Sequence, residues 1–314
     1  MGVLLLILLV GCAWGQHGTI MDVLHHRRDT SFISYIQQAG LEDTLKGAGP
    51  FTVFAPTNHA FRRLSTEIAA KMKLDPALLK SIIKYHIVSG STLSHNDLMA
   101  NEKLIPSMEG HDIRVNHYLF NQHMLVTGAR IYHYSGLTAT NGAVIEINDV
   151  MIPPGGSVLD LINNDPELST LKQVVQSAGL TTFLQEQHPI TLFAPTNKAF
   201  EALGGSVTQG LIQQPALLTT LLKYHVVPGS LWSDDFHQQM LETFDDDDKL
   251  RLHKFLFFGY DVDSAQIKTK DIAATNGVVH KIADVLVPKS IQAQVSALKV
   301  TTAPPPVVNP SDAP

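Results

Sequence analysis

A segment of eight residues that occurs twice constrains this chain more than any other feature of its sequence. Residues 54–61 read FAPTNHAF and residues 193–200 read FAPTNKAF, so seven of the eight positions are identical at an offset of 139 residues. Chance rarely produces such agreement among residue types of low frequency, and a fixed period indicates repeated structural units. We infer that the chain contains an internal duplication.

The repeated segment predicts a junction between a strand and a helix in each copy. Each copy follows an apolar run typical of a strand, at residues 51–54 and 190–193, and then reaches Pro56 or Pro195, which cannot continue a central ladder. A helix is expected next, with a Thr or Asn side chain accepting a hydrogen bond from its free amides. The capping candidates are Thr57, Asn58, Thr196 and Asn197.

Further landmarks recur in the same order. Tyr85-His86 matches Tyr224-His225 at the offset of 139, and Thr140-Asn141-Gly142 matches Thr275-Asn276-Gly277 at an offset of 135. An Asn-Gly pair between two apolar runs is a strong hairpin signal, because both residues tolerate the positive φ of a type I′ turn. We therefore predict that each copy ends in a hairpin, with final strands at 144–152 and 278–287.

This order of landmarks resembles the fasciclin domain family, the FAS1 module of extracellular adhesion proteins. The resemblance covers nearly all of residues 17–290 and implies an α+β fold of two tandem fasciclin-like domains. Each domain would be a β-sandwich wedge with helices packed on one side. The expected boundaries are a signal peptide at 1–15, domains at 17–154 and 155–290, and a proline-rich disordered tail at 291–314.

Helical patterns precede and follow the repeated segment. Residues 20–40 have the apolar stripe of one helix, and its counterpart at 158–179 is expected to restart at Asp165-Pro166. Asp75-Pro76 combines a capping carboxylate with a proline in the first helical position, so another helix should begin there. The region that follows in each copy is rich in β-type residues.

The first residues favour secretion. The apolar run at 3–10 is too short to cross a bilayer, and Ala13-Trp14-Gly15 has the small-x-small pattern of a cleavage site. We expect cleavage after Gly15, export to the extracellular space or matrix, and a mature chain without its only cysteine. The alternative is a lipoprotein signal at Leu9-Val10-Gly11-Cys12, which would make the chain a lipid-anchored bacterial surface adhesin.

Charge and motifs argue against several other functions. A net charge of −6 does not provide the basic footprint that nucleic acid requires, and no later stretch has the length of a transmembrane helix. We find neither a Gly-x-Ser-x-Gly elbow nor a glycine loop for phosphate, and we expect no cofactor and no chemical step. A small-ligand carrier or an enzyme that uses an unrecognised cleft remains an alternative.

The resemblance also suggests an adhesion site in each copy. Asp149-Val150 and Asp284-Val285 occupy the place of the Asp-Ile motifs through which fasciclin domains are proposed to engage integrins. Such a carboxylate could bind a divalent cation held by the receptor, or it could simply cap the turn after the last strand. The resemblance places Tyr85-His86 and Tyr224-His225 in a region implicated in integrin-dependent adhesion, but their apolar helix faces predict buried, structural histidines.

Other polar clusters suggest further hypotheses. Fifteen histidines are present without His-Glu-x-x-His or paired cysteines, so we expect no metal, although His117 and His123 could approach each other in a hairpin. The cluster at 25–28, His-His-Arg-Arg, could contact acidic glycosaminoglycan. The run Asp245–Asp248 lacks the spacing of an EF-hand and is expected to be a solvated loop. By resemblance, the expected partners are an integrin-type receptor and matrix proteins such as collagen.

Overall fold

The computed structural model describes residues 18–132, 137–186, 189–245, 247–255 and 259–301. The predicted signal peptide with Cys12, and residues 302–314 of the predicted tail, lie outside this part of the chain. Each copy combines helices with β-sheets, so the predicted α+β class is confirmed.

Most helices lie in the first half of each copy. In the first copy they are α1 (Ile20–Arg27), α2 (Thr30–Gln38), α3 (Glu42–Lys46), α4 (Asn58–Arg63), α5 (Thr66–Leu74), α6 (Pro76–Tyr85) and α7 (His95–Met99). In the second they are α8 (Val158–Asn164), α9 (Ser169–Ser177), α10 (Thr181–Glu186), α11 (Asn197–Leu203), α12 (Gly205–Ile212), α13 (Pro215–Tyr224) and α14 (Gln292–Thr301). Short 3-10 turns lie at Pro166–Leu168, Ser233–Asp235 and Lys289–Ile291.

Most strands lie in the second half of each copy. In the first copy they are β1 (Phe51–Pro56), β2 (Ile87–Ser89), β3 (Leu104–Pro106), β4 (Asp112–Tyr118), β5 (His123–Val126), β6 (Ala129–Arg130), β7 (Leu137–Ala139) and β8 (Gly142–Ile147). In the second they are β9 (Ile190–Pro195), β10 (Val226–Pro228), β11 (Gln239–Leu241), β12 (Leu250–Phe255), β13 (Gly259–Val262), β14 (Ala265–Ala274) and β15 (Gly277–Ile282).

The repeated segment provides an inner strand of a sheet in both copies. The sheet orders are β2-β1-β8-β7, β3-β4-β5-β6 and β10-β9-β15-β14-β13-β12-β11. β1 runs parallel to β8 with Phe51 opposite Gly142, and β9 runs parallel to β15 with Ile190 opposite Gly277. All six residues of β1 and of β9 are buried. A strand covered on both faces explains why the sequence there is continuously apolar.

The second copy shows how the sheet divides its two faces. Leu192 and Ala194 of β9 pack in a cluster with residues of α9, α12 and α13, so helices cover this face. Phe193, which points the opposite way, packs with Leu252, Val262 and other residues of β12 to β15. Alternate residues of one strand therefore serve two cores, as the two-residue period of a strand requires.

The described chain forms two compact units, and the second unit includes residues 100–104 and 114–128 as well as the second copy. Inside this unit the Trp232 ring nitrogen donates to Asn116 Oδ1 at 2.8 Å, and the Tyr118 hydroxyl donates to the Ser230 carbonyl at 2.6 Å. Asn116 and Trp232 are buried. Since buried polar groups need partners, these bonds join the β4–β5 hairpin to the core of the second unit.

The first helical stretch differs from its prediction. Residues 20–40 were expected to form one helix, but α1 ends at Arg27 and α2 begins at Thr30. Arg28 has φ 62° in the left-handed region, which ends α1, and Asp29 is buried at the start of α2. The predicted restart at Asp165-Pro166 is confirmed, as is the helix that begins at Pro76 with the Asp75 carboxylate as its cap.

The predicted tail begins too early. Residues 292–301 form α14, where Val295 is buried and Leu298 lies against Gly210 of α12. Ile291, Val295 and Leu298 are spaced at i, i+4 and i+7, which places three apolar side chains on one face of a helix. Disorder from residue 291 is therefore wrong for the segment up to 301.

The two hairpins are confirmed, but their turn type is not. Ala139 pairs with Gly142 and Ala274 pairs with Gly277, so Thr-Asn forms each turn and only the glycine, at φ 151° or 153°, has a positive φ. Glycine is needed here because β1 and β9 pass close by. An added Cβ would lie 2.0 Å from the Phe51 carbonyl oxygen in the first copy and 1.8 Å from that of Ile190 in the second.

Candidate functional site

The Tyr-His pair lies at the end of an inner helix in both copies. His86 follows the last turn of α6 and His225 follows that of α13, and neither ring has any exposed surface. Burial removes a histidine from contact with a macromolecular partner. The rings therefore act through the residues that they touch.

Both nitrogens of each ring are hydrogen-bonded. His86 Nδ1 lies 2.8 Å from the Ile82 carbonyl oxygen, and His86 Nε2 lies 2.9 Å from the amide nitrogen of Met151. In the second copy His225 makes the same contacts with Leu221 at 2.8 Å and Leu286 at 3.0 Å. A carbonyl can only accept and an amide N–H can only donate, so this geometry requires the neutral ring with its proton on Nδ1.

Burial keeps both rings neutral. It lowers the pKa of His86 and of His225 from 6.5 to about 4, because the charged imidazolium is poorly solvated in the interior. The hydrogen bond to the carbonyl acts in the opposite direction and is the smaller cause. Protonation at Nε2 would also remove the acceptor of the Met151 or Leu286 amide.

These bonds hold the predicted adhesion segment of each copy in place. β8 ends at Ile147 and β15 at Ile282, so the predicted final strands are too long, and Asp149 and Asp284 lie in the bends that follow. The next residues, Val150 and Val285, are half-buried, and Met151 and Leu286 are buried. The histidine therefore anchors the chain two residues after each aspartate.

The two aspartates have different surroundings. Asp284 is exposed, whereas the Asp149 side chain is 37% exposed and its Oδ1 lies 3.5 Å from Arg63 Nη2. The neighbouring Asn148 is buried and its Oδ1 accepts a hydrogen bond from the Arg130 amide at 2.7 Å. Asn148 is a structural residue that the sequence analysis did not identify.

The tyrosines of the Tyr-His pairs are also internal. The Tyr85 hydroxyl donates to the Asp112 carbonyl at 2.8 Å, and the Tyr224 hydroxyl donates to Asp263 Oδ2 at 2.7 Å. Burial, and then the bond to Asp263, raise the pKa of Tyr224. Tyr85 and Tyr224 thus tie α6 and α13 to the β-rich half of each copy.

Asn58 and Asn197 connect two helices. Asn58 Oδ1 accepts from the Ser31 amide and its Nδ2 donates to the Arg28 carbonyl, both at 2.9 Å. Asn197 makes the same bonds to Thr170 and Pro166. Of the two predicted caps of α4, Thr57 is the one observed, because its Oγ1 accepts a hydrogen bond from the Ala60 amide at 3.3 Å. Thr196 makes no such side-chain bond in α11. The asparagine caps a neighbouring helix.

Asn141 and Asn276 are a second pair of connecting residues. Asn276 Oδ1 accepts from the Val158 amide at 2.8 Å, and its Nδ2 donates to the Leu184 carbonyl at 2.9 Å. Asn141 forms equivalent bonds to Ile20 and Leu45 at 2.9 and 2.7 Å. In each copy one asparagine side chain thus pairs with the first amide of one helix, α1 or α8, and with a carbonyl near the end of another, α3 or α10. A helix leaves such terminal amides and carbonyls without partners of its own.

The remaining polar clusters have structural contacts. His117 pairs across the hairpin with Met124, while His123 pairs with Tyr118 and contacts Asp234, so the structure does not bring the two histidines together. Within the described ranges, no group of three or more His, Cys, Asp or Glu residues is arranged to hold a metal ion. Nor does any helix in this part of the chain have the length and apolar character to cross a membrane.

The acidic run at 245–248 is also tied to the fold. Asp248 Oδ2 accepts from the Ser290 amide at 2.9 Å, and the Asp248 carbonyl accepts from the Thr243 hydroxyl at 2.9 Å. Asp246 lies outside the described residues. Asp247 and Asp248 lie in a loop and Asp247 is exposed, but Asp248 is half-buried and its side chain lies against the turn that precedes α14.

Comparison with known proteins agrees with this architecture. The family model "Fasciclin domain" matches residues 28–153 and 166–288. Periostin of Homo sapiens is 30% identical over 265 residues, which is 82% of this chain and 30% of periostin. Transforming growth factor-beta-induced protein ig-h3 of Sus scrofa is 28% identical over 258 residues, 80% of this chain and 36% of that protein. This chain therefore spans about a third of the length of these relatives.

A solved structure is also similar. It is a FAS1 domain pair from the insect cell adhesion molecule Fasciclin I, with 19% identity and a TM-score of 0.43. The similarity covers 83% of this chain and 97% of that one.

Proposed function

Because the chain belongs to the fasciclin domain family, with two domain matches that cover most of its length, we propose that it is an adhesion protein that organises extracellular matrix through protein–protein contacts. The proposal includes secretion, an integrin-type receptor as the cell-surface partner, and the absence of a chemical step. A matrix protein such as collagen is the second class of partner, by family resemblance.

One observation carries the assignment of the contact site. In each copy a buried histidine accepts the amide of Met151 or Leu286, two residues after the aspartate. The aspartate therefore lies in a segment that is held by a hydrogen bond two residues later. This restraint reduces the conformational entropy that the segment loses when a receptor binds. A carboxylate held in this way can complete the coordination of a divalent cation on the receptor.

The different surroundings of the two aspartates predict unequal contributions. Asp284 is exposed, whereas Asp149 lies beside Arg63 and must leave that guanidinium to bind a cation. Exposed ion pairs of this type contribute about 1 kcal/mol or less, so Asp149 is weakened as a ligand rather than blocked. Asp284-Val285 is therefore the stronger of the two proposed contacts.

The test is cell attachment to immobilised protein. Asp284→Asn removes the charge at nearly constant size, so attachment should fall, and the double variant with Asp149→Asn should lose more because two contacts on one chain reinforce each other. EDTA should reproduce the loss with the parent protein by removing the receptor's cation. Asp43→Asn, at another exposed aspartate on α3, is the matched control.

Two outcomes would contradict the assignment. Full attachment by a double variant with an unchanged melting temperature would remove both aspartates from the contact site. Loss of attachment together with a lower melting temperature would instead assign them a role in the turn after β8 and β15.

The proposed location has its own measurement. Secretion predicts a mature protein that starts at Gln16, whereas an acylated Cys12 at the N-terminus would indicate the lipid-anchored alternative. Intact mass spectrometry of protein from the native source separates the two. Glycosaminoglycan contact is proposed through the exposed residues His25, His26, Arg27 and Arg28, of which Arg27 is paired with Glu146.

A further inference from the structure

Equivalent surfaces of the two copies carry opposite charge. In copy one this surface lies where α1 ends and α2 begins, beside the last turn of α4. In copy two it lies at the turn Pro166–Leu168 before α9, beside the last turn of α11. We call it the first junction face in copy one and the second junction face in copy two. The first junction face contains Arg27, Arg28, Arg62, Arg63, Glu146 and Asp149, and the second contains Asp165, Glu167, Lys198, Glu201, Lys281 and Asp284.

Hydrogen bonds and ion pairs show that each face is continuous. In copy one, Asn58 of α4 donates to the Arg28 carbonyl, and Arg27 Nε lies 3.0 Å from Glu146 Oε1. Arg63, in the last turn of α4, lies 3.5 Å from Asp149. Three elements that are far apart in sequence thus present their charged side chains side by side.

The second junction face has the same framework. Asn197 of α11 donates to the Pro166 carbonyl at 2.8 Å, as Asn58 does to Arg28. Lys281 Nζ lies 2.5 Å from Asp165 Oδ2 and 2.7 Å from Glu167 Oε2. The strand therefore carries the cation here and the helical turn carries the anions, which is the reverse of copy one.

Three positions change sign between the copies. Arg28 corresponds to Glu167 and Arg62 to Glu201 at the offset of 139, and Glu146 corresponds to Lys281 at the offset of 135. Arg28, Arg62, Glu167 and Glu201 are all exposed. Inversion at matched positions gives two surfaces with related backbone arrangement and opposite net charge.

Each face retains charge after its internal pairs are counted. Arg27 and Arg63 have carboxylate partners, whereas the described residues place no carboxylate within 4.0 Å of Arg28 or Arg62. In copy two the described residues likewise place no cation within that distance of Glu201 or Asp284, although Lys198 is exposed nearby on α11. The first junction face thus carries a net positive charge, and the second carries a net negative charge.

A buried carboxyl in copy one offsets part of the arginine charge at neutral pH and loses its own charge in mild acid. Asp29 is buried beside Arg27 and Glu146, and burial followed by repulsion from Glu146 raises its pKa to about 6. Its counterpart at the offset of 139 is Leu168, which carries no charge. The first junction face becomes still more cationic just below neutral pH.

We propose that the first junction face of one molecule binds the second junction face of another copy of this chain. Complementary charge steers two surfaces together and suppresses wrong partners. The contact joins two different surfaces, so it is heterologous, and repeated contacts produce rings or open chains of molecules. Asp149 and Asp284 belong to these two faces, so assembly would cover the proposed receptor contacts. The association experiments below use no receptor, so their outcome can be distinguished from that of the attachment test.

Sedimentation velocity at low and high salt is the first test. Exposed charges are screened within about 10 Å at 0.1 M ionic strength, so association of the secreted full chain should weaken at least about tenfold between 30 and 500 mM NaCl. A parent protein that stays monomeric at about 100 µM in low salt would overturn the proposal.

Charge reversal gives the decisive test. One variant carries Arg28→Glu and Arg62→Glu, and the other carries Glu167→Lys and Glu201→Lys. Both leave the Arg27–Glu146 and Lys281–Asp165 pairs in place, but Glu167→Lys removes the Lys281–Glu167 pair, so Glu201→Lys alone is measured beside the double variant. Each variant alone has two faces of like charge and should be monomeric in low salt. An equimolar mixture should associate again, because each contact then joins opposite charges.

Matched controls keep the test specific. Lys73→Glu with Lys80→Glu changes the net charge as the first variant does, at exposed positions of α5 and α6, and should associate like the parent. Melting temperatures equal to that of the parent verify folding. Association of either reversed variant alone, or a mixture that stays monomeric, would overturn the proposal. Loss of heparin retention by the Arg28/Arg62 variant, with a parent that never self-associates, would assign the first junction face to a sulfated polysaccharide instead.

Discussion

Replacement of His225 by glutamine tests how the anchor of the second copy responds to pH. The ring is fully buried and accepts the Leu286 amide through Nε2, and its pKa falls from 6.5 to about 4 on folding. The unfolded chain therefore binds more protons than the folded chain between these two values. Stability must fall as the pH drops through 6.5 toward 4, and the loss is complete below the folded-state pKa.

The magnitude follows from the two pKa values. One pKa unit corresponds to 1.36 kcal/mol, so with values of 6.5 and about 4 the histidine lowers the free energy of unfolding by about 0.2 kcal/mol at pH 7 and about 2 kcal/mol at pH 5. Acidification over this range thus removes about 1.8 kcal/mol through His225 alone. The same reasoning applies to His86 in the first copy.

Glutamine does not titrate, so the variant should lack this part of the pH dependence. Its amide can both donate and accept, but it fills less of the space of the ring, and we expect it to lower stability at pH 7 by roughly 1–3 kcal/mol. Between pH 7 and pH 5 the free energy of unfolding of the parent should then fall by about 1.8 kcal/mol more than that of the variant. Other titrating groups cancel in this comparison, including Asp29 and Asp235, whose raised pKa values act in the opposite direction.

Urea unfolding at several pH values provides the measurement. Trp232 is buried in the second unit with His225, so its fluorescence reports the unfolding of that unit. His59→Gln, which removes an exposed ring, serves as the control and should leave the pH dependence of this transition unchanged. Curves for parent and His225→Gln that stay parallel within about 0.5 kcal/mol would show that the ring is accessible to protons or paired with an acid, and the reasoning would fail.

Three further predictions concern the connecting residues and the thiol content. Asn276→Ala should destabilise the second unit by about 2–4 kcal/mol, since it leaves the buried Val158 amide and the Leu184 carbonyl unpaired; a urea midpoint equal to that of the exposed-site variant Asn163→Ala would contradict this. Gly277→Ala should abolish or strongly reduce soluble folding, because its Cβ would lie 1.8 Å from the Ile190 carbonyl oxygen, while Gly205→Ala, which meets no atom within 4 Å, should fold normally in the same expression and melting assay. The melting temperature of the mature protein should not respond to reductant, and a clear decrease would show that its only cysteine is retained and paired.

The sequence determined the features that depend on neighbouring residues. The duplication, the strand that ends at Pro56 or Pro195, the helix that begins at Pro76, and the burial of His86 and His225 all follow from backbone restrictions and apolar spacing over a few residues. These effects act within about one helical turn or along one strand, so they are present before the chain folds. The helix α14 shows where local effects are insufficient. Its apolar stripe at 291–298 is short and precedes a proline-rich segment, so the sequence there does not predict a helix, and contact with α12 stabilises it.

Only the tertiary structure decided which distant groups meet. His86 accepts an amide 65 residues away, Asn141 joins groups 121 and 96 residues away, and Asn58 caps α2 instead of its own helix. The β4–β5 hairpin of the first copy packs in the second unit through Asn116 and Trp232, which no repeat predicts because Trp232 has no tryptophan counterpart in copy one. A hydrogen-bonding side chain has many possible partners at long range, and the packing of the cores selects one of them.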